Sequence, residues 1–144
     1  MEQQLETLVT NLPGATTRDK ILRLEGEMRK METIDLPPTH YFAKGLYARS
    51  ISIPKGVLLT GHIHKTEHLN IVAKGVISVV TEWGSKILHA PHVFVAPAGA
   101  KKVGYALEDT VWITVHATKE VDIDKIEEEL IALDYAEVPW LSSP

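Results

Sequence analysis

The chain of 144 residues contains no cysteine. This absence excludes disulfide-stapled scaffolds and thiolate metal sites, and it is typical of proteins in a reducing compartment. No apolar run approaches the roughly 20 residues that cross a bilayer, and residues 1–9 lack the basic and apolar regions of a signal peptide. We therefore expect a cytoplasmic protein with no membrane partner.

Positive charge is not concentrated anywhere in the sequence. The formal net charge is −4 and no single segment gathers Lys and Arg, so we expect no nucleic-acid partner. The sequence also lacks a glycine-rich phosphate loop, a Gly-x-Ser-x-Gly elbow and a credible Ser-His-Asp set. Its length and its 44% apolar content predict one globular domain with its own core.

The period of the apolar residues divides the chain into three regions. Residues 1–35 have helical spacing and form an N-terminal arm, in which a second helix begins at Thr16 or Thr17. Residues 36–118 consist of short runs rich in Val, Ile and Thr, which predict an antiparallel barrel or sandwich. Residues 119–144 form a C-terminal helix, capped by Asp122 or Asp124, and a tail in which Trp140 needs cover. The predicted buried helical residues are Leu5, Leu8, Val9, Leu12, Ile21, Leu24, Met28, Met31, Ile126, Leu130 and Leu133.

One stretch, GHIHKTEHLNIVAKG at residues 61–75, places three histidines within seven positions. His62 and His64 are two apart, so on a strand both side chains project from one face. His68 follows after Lys-Thr-Glu, which is long enough to turn the chain and return a third imidazole. Three neutral imidazoles suit a borderline divalent ion, and three protein ligands leave positions open for water or substrate. The alternative is that the histidines only hydrogen-bond one another.

The same stretch resembles the first cupin motif. That motif has Gly, five residues, His, one residue, His, three or four residues, Glu, six residues and Gly. Here Gly56, His62, His64, His68 and Gly75 keep every gap, with His68 where the family usually has glutamate. The resemblance covers residues 37–118 and implies an all-β fold, a single antiparallel cupin (jelly-roll) barrel with flanking N- and C-terminal α-helices. It also implies a homodimer or higher homo-oligomer, since cupins commonly pair.

The second cupin motif is only partly present. Pro97-Ala98-Gly99 matches, but Pro91 replaces the leading glycine, Lys102 occupies the histidine slot and Ala106 occupies the asparagine slot. An ammonium group cannot ligate a metal, and a nearby dication repels it. We therefore expect Lys101 and Lys102 to point to the surface, or to attract an anionic ligand near the barrel mouth.

The predicted site holds a divalent transition metal, Fe, Mn, Ni or Zn. Its predicted ligands are His62, His64, His68 and Glu67. Glu67 is the rival of His68: it faces the opposite side if the chain is already a strand there, and it replaces His68 if the chain is still turning. The predicted residues of the adjoining ligand pocket are Tyr105, Lys102 and His116. For His116, we favour the interpretation as a hydrogen-bonded interior histidine over that as a fourth metal ligand.

The whole chain also resembles small cupin-like proteins of tailed phages and prophages. The stretches that carry this are LPGATTRDKILRLEGEMRKM, DLPPTHYFAKGLYAR, HKTEHLNI and PAGAKKVGYALEDTVWITVHAT. The resemblance implies a viral protein in the host cytoplasm or the virion, but it assigns no reaction, because one fold serves many functions. Two functions are therefore open. One is a divalent-metal protein that binds or acts on a small molecule; the other is a non-catalytic virion component or host-interaction protein.

Overall fold

The computed structural model describes residues 4–14, 16–30 and 35–132. Its helices are α1 (Gln4–Thr10), α2 (Thr17–Met28) and α3 (Ile123–Leu130). Its strands are β1 (Thr39–Ala43), β2 (Leu46–Ile53), β3 (Leu58–Thr60), β4 (Ile63–His64), β5 (His68–Lys74), β6 (Val76–Thr81), β7 (Gly84–His89), β8 (His92–Ala96), β9 (Lys102–Ala106), β10 (Thr110–Ala117) and β11 (Ile131–Ala132). The predictions for Met31, Leu133 and Trp140 fall outside the described residues. None of the described helices is long and apolar enough to cross a membrane.

Two antiparallel sheets enclose the main core. One sheet has five strands in the order β1-β2-β10-β5-β8, and the other has four in the order β3-β9-β6-β7. Because side chains alternate between the two faces of a strand, every second residue enters the space between the sheets. Ile53, Val72 and Trp112 enter from the five-stranded sheet and meet Ile77 and Val79 from the other.

The N-terminal helices pack on the outer face of the four-stranded sheet. Thr16 caps α2: its hydroxyl accepts a hydrogen bond from the Asp19 amide at 3.1 Å, and the Asp19 carboxylate accepts one from the Thr16 amide at 3.2 Å. This reciprocal pair satisfies two amides that the first helical turn leaves without partners. The apolar cluster under the helices consists of Leu5, Val9, Ile21, Leu24, Val80 and Val103. Leu8 is exposed instead, so its predicted burial is wrong.

Two ion pairs fasten α2 to the barrel. The guanidinium of Arg18 meets Glu82 at 2.9 Å, and Lys101 Nζ meets Glu25 at 2.6 Å. Lys101 is 4% exposed and also donates to the carbonyl of Gly61 at 2.7 Å. The predicted surface position of Lys101 is therefore wrong, because a helix that the barrel motif does not include supplies its counter-charge.

Gly75 closes the β5–β6 turn where the backbone passes close to another chain segment. Its φ of +90° lies in the left-handed region, which glycine adopts without strain. A Cβ at this position would collide with the carbonyl oxygen of Asp109 and with Thr110. The last glycine of the motif is therefore required both by the backbone angle and by this close approach.

The C-terminal segment covers one end of the barrel. Asp122 caps α3 by accepting the Asp124 amide at 3.0 Å, as one of the two alternatives expected. Ile126 and Leu130 are buried against Tyr47. The chain then adds the short strand β11, whose Ile131 pairs with His64 of β4. This last strand was not predicted, and it brings the C-terminal segment directly to the histidine cluster.

Candidate metal centre

Three histidines from three different strands meet at one end of the barrel. His64 lies in β4, His68 begins β5, and His116 lies near the end of β10. The ring centroids of His64 and His68 are 4.3 Å apart, those of His64 and His116 are 4.9 Å apart, and those of His68 and His116 are 4.7 Å apart. His68 and His116 are almost fully buried. The cluster thus combines two residues of the first motif with one that is 48 positions further along the chain than His68.

Each of the three rings has one buried nitrogen that finds no hydrogen-bond partner among the residues that the structure describes. These atoms are His64 Nδ1, His68 Nε2 and His116 Nδ1. In His68 the other nitrogen, Nδ1, lies 3.0 Å from the carbonyl oxygen of Thr66. Since a carbonyl only accepts, Nδ1 carries the proton in the neutral ring and donates it, and Nε2 keeps a free lone pair. This is the arrangement by which metal-ligating histidines are usually oriented.

The surroundings hold all three imidazoles in the neutral form. Burial lowers the pKa of His64 to about 2, and repulsion from protonated His68 and His116 adds to this effect. Burial also lowers the pKa of His68 to about 4, although the bond to Thr66 opposes the shift. The pKa of His116 falls to about 4 through burial and then through the charges of His68 and Arg49. Neutral imidazole is the form that binds metal ions.

The donor set fits a divalent transition ion in chemistry, but the rings are not arranged as ligands. Among the described residues, no group of three His, Asp or Glu side chains is arranged so that it already could hold an ion. Instead, His116 stacks on His64 and His68 at interplanar angles of 28° and 25°, and the rings of His64 and His68 are tilted by 48°. Metal–nitrogen bonds of about 2.1 Å around a tetrahedral ion put ring centroids roughly 5 Å apart. The three rings must therefore separate by less than about 1 Å and tilt away from each other.

His62 and Glu67, two of the four predicted ligands, do not join this cluster. His62 precedes β4, its side chain is exposed, and it makes no ring contact with the other histidines. β4 begins only at Ile63, so His62 and His64 do not lie on one strand, although both line the cavities of about 230 Å³ and 30 Å³. Glu67 is exposed and His68 is buried, as alternation requires once β5 has begun.

Of the predicted pocket residues, Lys102 lines the main cavity, His116 lines a smaller cavity on the other side of the cluster, and Tyr105 lines neither. Lys102 lines a cavity of about 230 Å³ that adjoins His64. Burial, and to a smaller extent the charge of Lys101, lowers the pKa of Lys102 to about 8. Tyr105 projects from the other face of β9 and packs against the helix cluster. The odd-numbered residues of β9 face the helices, so a prediction from motif proximity alone placed Tyr105 on the wrong face.

The strand register arranges the inward-facing side chains in layers below the histidines. Tyr47 pairs with His116 across β2 and β10. Two residues deeper, Arg49 pairs with Thr114, which pairs with Asn70 on β5. The next layer is apolar, since it contains Ile51, Trp112 and Val72. The cavity therefore has a cationic and amide layer between the histidines and an apolar floor.

No motif in the sequence marks Arg49, Asn70 or Thr114 as a site residue. Asn70 is fully buried, and its Oδ1 accepts a hydrogen bond from the indole of Trp112 at 2.9 Å. Its Nδ2 and the hydroxyl of Thr114 have no hydrogen-bond partner within the described ranges of the chain. A polar residue at an inward position of an otherwise apolar strand was the available signal. The register between β2, β10 and β5 was needed to show that the three form one layer.

The C-terminal segment closes the side of the cluster away from this cavity. A small cavity of about 30 Å³ remains between the histidines and this segment. It is bordered by His64 and His116 on the barrel side and by Glu127, Leu130 and Ile131 on the other. Lys65 also donates its backbone amide to the carbonyl of Leu130 at 2.7 Å. Access to the cluster therefore runs mainly through the larger cavity inside the barrel.

Comparison with known proteins identifies the architecture. No protein-family model matches the chain, and no curated protein matches it in sequence. The ectoine synthase of P. lautus matches in structure with a TM-score of 0.55 at 10% identity, covering 69% of this chain and 75% of that protein. The plu4264 protein of Photorhabdus luminescens matches with a TM-score of 0.53 at 13% identity, covering 68% and 88%. KdgF of Halomonas sp. matches with a TM-score of 0.52 at 19% identity, covering 66% and 93%.

Identities this low show the fold alone. They agree with the two facing antiparallel sheets and with the helices at both ends of the chain. The expected fold class is confirmed: the protein has the cupin fold, a single antiparallel jelly-roll barrel with flanking α-helices.

Proposed function

We propose that the protein binds one divalent transition metal ion through His64, His68 and His116. The observation that carries the proposal is that three histidine rings meet at one place, and that each has a buried nitrogen without a hydrogen-bond partner among the described residues. Imidazole donors suit Zn, Fe, Ni and Cu, whereas carboxylate-rich sites suit Mg and Ca. His116 thus takes the place that the motif alone assigned to His62.

A purely structural histidine cluster explains these atoms less well. A buried polar atom without a hydrogen bond costs about 1–3 kcal/mol, and here three such atoms lie together. Neutral histidines that only support the fold would turn so that the N–H of one ring meets the bare nitrogen of the next. The carbonyl of Thr66 instead takes the His68 proton, which leaves the inner nitrogen bare.

A bound ion would act as a Lewis acid and would keep positions open for an oxygen ligand. The chain itself supplies the surroundings of that ligand. Arg49 and Lys102 place positive charge on opposite sheets of the same cavity, and Trp112 and Ile77 form its apolar wall. The proposal concerns binding of the metal ion. Catalysis would require a small molecule in this cavity to contact the ion.

Titration of metal-free protein with Co²⁺ tests the proposal. Nitrogen ligands in a four- or five-coordinate site give visible absorption bands that the hexa-aqua ion lacks. We expect these bands to saturate at one equivalent in the wild type and in His62→Ala, and to be lost in His116→Ala. Loss in His62→Ala with retention in His116→Ala would favour the ligand set expected from the motif and reject the one proposed here.

We also propose that a second copy of the chain covers the outer face of the five-stranded sheet. On this outer face, the outward-facing residues from Leu69 to Ile71 in β5, from Val93 to Val95 in β8 and from Val111 to Val115 in β10 are all uncharged. Leu69 is 41% exposed, Val93 59% and Val95 55%. An uncharged face meets an identical one without repulsion, as a two-fold symmetric contact requires. The alternative function, in a virion or in host interaction, would use the same surface.

A further inference from the structure

The barrel cavity below the histidines has the features of a binding site for a small organic anion. Its volume is about 230 Å³, which is below the roughly 300–1,000 Å³ of pockets for drug-sized ligands. Only a small molecule fits. The lining residues divide into a polar layer next to the histidines and an apolar floor, so the ligand must be polar at one end.

Asn70 is the clearest sign of a ligand. Its side chain is fully buried, and the indole N–H of Trp112, which can only donate, fixes the position of Oδ1. The amide NH₂ is thereby held toward the cavity, where no described residue accepts a hydrogen bond from Nδ2. The buried hydroxyl of Thr114, the neighbouring position in the same layer, is without a partner as well. A buried donor of this kind is costly unless something accepts its hydrogen bond.

Charge decides the sign of the ligand. Arg49 belongs to the same layer as Asn70, and Lys102 lines the cavity from the opposite sheet. Within the part of the chain that the structure describes, neither Arg49 nor Lys102 forms an ion pair, although Lys101, next in sequence to Lys102, is paired with Glu25. None of the described residues that line the cavity is Asp or Glu. Two cations, an amide donor and a hydroxyl together favour a carboxylate.

We infer that the cavity binds a small organic carboxylate with a short apolar body. The carboxylate group lies in the layer of Arg49, Thr114 and Asn70, and the body lies on Ile51, Ile77 and Trp112. The inference deepens the proposed function and rests on it for one point only, that the carboxylate faces the metal side of the cavity. The interactions with Asn70 and Arg49 need no ion.

Isothermal titration calorimetry with benzoate and hexanoate, and with benzamide and hexanamide as neutral counterparts, tests the inference. Each probe is titrated into metal-free and Zn²⁺-loaded full-length protein. We expect at least one carboxylate to bind both forms, at least tenfold more tightly than its amide. Absence of binding by both carboxylates, or equal affinity for acid and amide, would overturn the inference.

Near-isosteric variants locate the carboxylate. Asn70→Asp replaces the inward donor with a negative charge, and Arg49→Met removes the cation but keeps much of the side-chain length; each should weaken carboxylate binding at least tenfold. Lys44→Met, at an exposed turn, is the matched control and should bind as the wild type does. Thermal unfolding of each variant shows that it is folded. Unchanged affinity in both folded variants would overturn the inference.

The outcomes separate this inference from the proposed metal site. Zinc content is measured on the same preparations. Zinc at one equivalent with no carboxylate binding leaves the metal site standing and rejects the anion site. Carboxylate binding without zinc uptake does the reverse. Binding that occurs only in the zinc-loaded form and survives Asn70→Asp would assign the carboxylate to the ion alone, and would also reject the site argued here.

Discussion

The Nδ1 atom of His68 lies 3.0 Å from the backbone carbonyl oxygen of Thr66, two residues earlier in the chain. This hydrogen bond forms because the chain turns at Thr66 and becomes a strand at His68. It fixes the ring orientation and the tautomer together, and it leaves Nε2 with a free lone pair in the buried cluster with His64 and His116. The Thr66 carbonyl oxygen therefore accepts the hydrogen bond that a metal-ligating histidine in other proteins usually donates to a carboxylate or a carbonyl.

Replacement of Gly75 by alanine should destabilise the barrel strongly. The residue has a φ of +90°, and a Cβ would collide with backbone atoms of Asp109 and Thr110, so the β5–β6 turn must shift. We expect a loss of at least about 2 kcal/mol in the free energy of unfolding, measured with urea. Gly61→Ala is the control, since no atom lies within 4 Å of its added Cβ. Equal stability of the two variants would refute the close approach at Gly75.

The metal-free protein should lose stability as the pH falls from about 6.5 to about 4. In the folded state His68 and His116 have a pKa of about 4, whereas unfolded histidine has a pKa of about 6.5. Between these values the unfolded chain binds protons that the folded chain does not, so acid favours unfolding. The urea midpoint should drop steeply between pH 7 and pH 4.5.

A His68→Gln variant should show a shallower pH dependence than the wild type, because one of the titrating groups is gone. Replacing the exposed His89 by Gln is the matched control. A urea midpoint that stays constant between pH 7 and pH 4.5 in the wild type would contradict the burial of neutral imidazoles.

Loss of the Glu25 carboxylate should destabilise the docking of α2. Lys101 is buried and hydrogen-bonds Glu25 at 2.6 Å, so Glu25→Ala leaves an ammonium group buried without its counter-charge. The expected loss is about 3 kcal/mol in the free energy of unfolding. Glu27→Ala breaks only the exposed pair with Lys30 and should cost less than about 1 kcal/mol. Similar losses in both variants would show that the Lys101 pair does not hold the helix.

Substitution of Val93 by aspartate should prevent self-association. The side chain lies on the uncharged outer face, where a two-fold contact would bring two new carboxylates together. Sedimentation velocity at micromolar concentration should show a dimer or larger species for the wild type and a monomer for Val93→Asp. Val121→Asp, at a position that is 71% exposed and outside both sheets, serves as the control. A monomeric wild type would reject the proposed contact.

Patterns local in sequence predicted the fold well. The alternation of apolar residues and the spacing from Gly56 to Gly75 are patterns among residues that are close in sequence. The strands of the structure lie where these patterns predicted them. The capping box at Thr16 is likewise local. Burial of Ile21 and Leu24 followed from helical period alone.

The candidate site depended on contacts distant in sequence and was predicted only in part. His64 and His68 were found because they lie within one motif, but His62 was chosen over His116 on proximity in sequence. The register of β10 against β5 brings His116 beside His68, and no pattern within either strand specifies that register. The same reason explains why Lys101 was expected at the surface: its partner Glu25 lies 76 residues away.

Elemental analysis of side-by-side preparations tests the central claim most directly. Wild type, His62→Ala, Glu67→Ala, His68→Ala and His116→Ala are each incubated with Mn²⁺, Fe²⁺, Ni²⁺ or Zn²⁺, and excess metal is removed. We predict one equivalent of at least one ion in the wild type, in His62→Ala and in Glu67→Ala. His68→Ala and His116→Ala should each lose at least about tenfold in metal affinity. Even the loss of a group that only hydrogen-bonds a ligand lowers metal affinity roughly 10–100-fold. A wild type that retains none of these ions, or a His116→Ala variant that retains a full equivalent, would contradict the three-histidine centre.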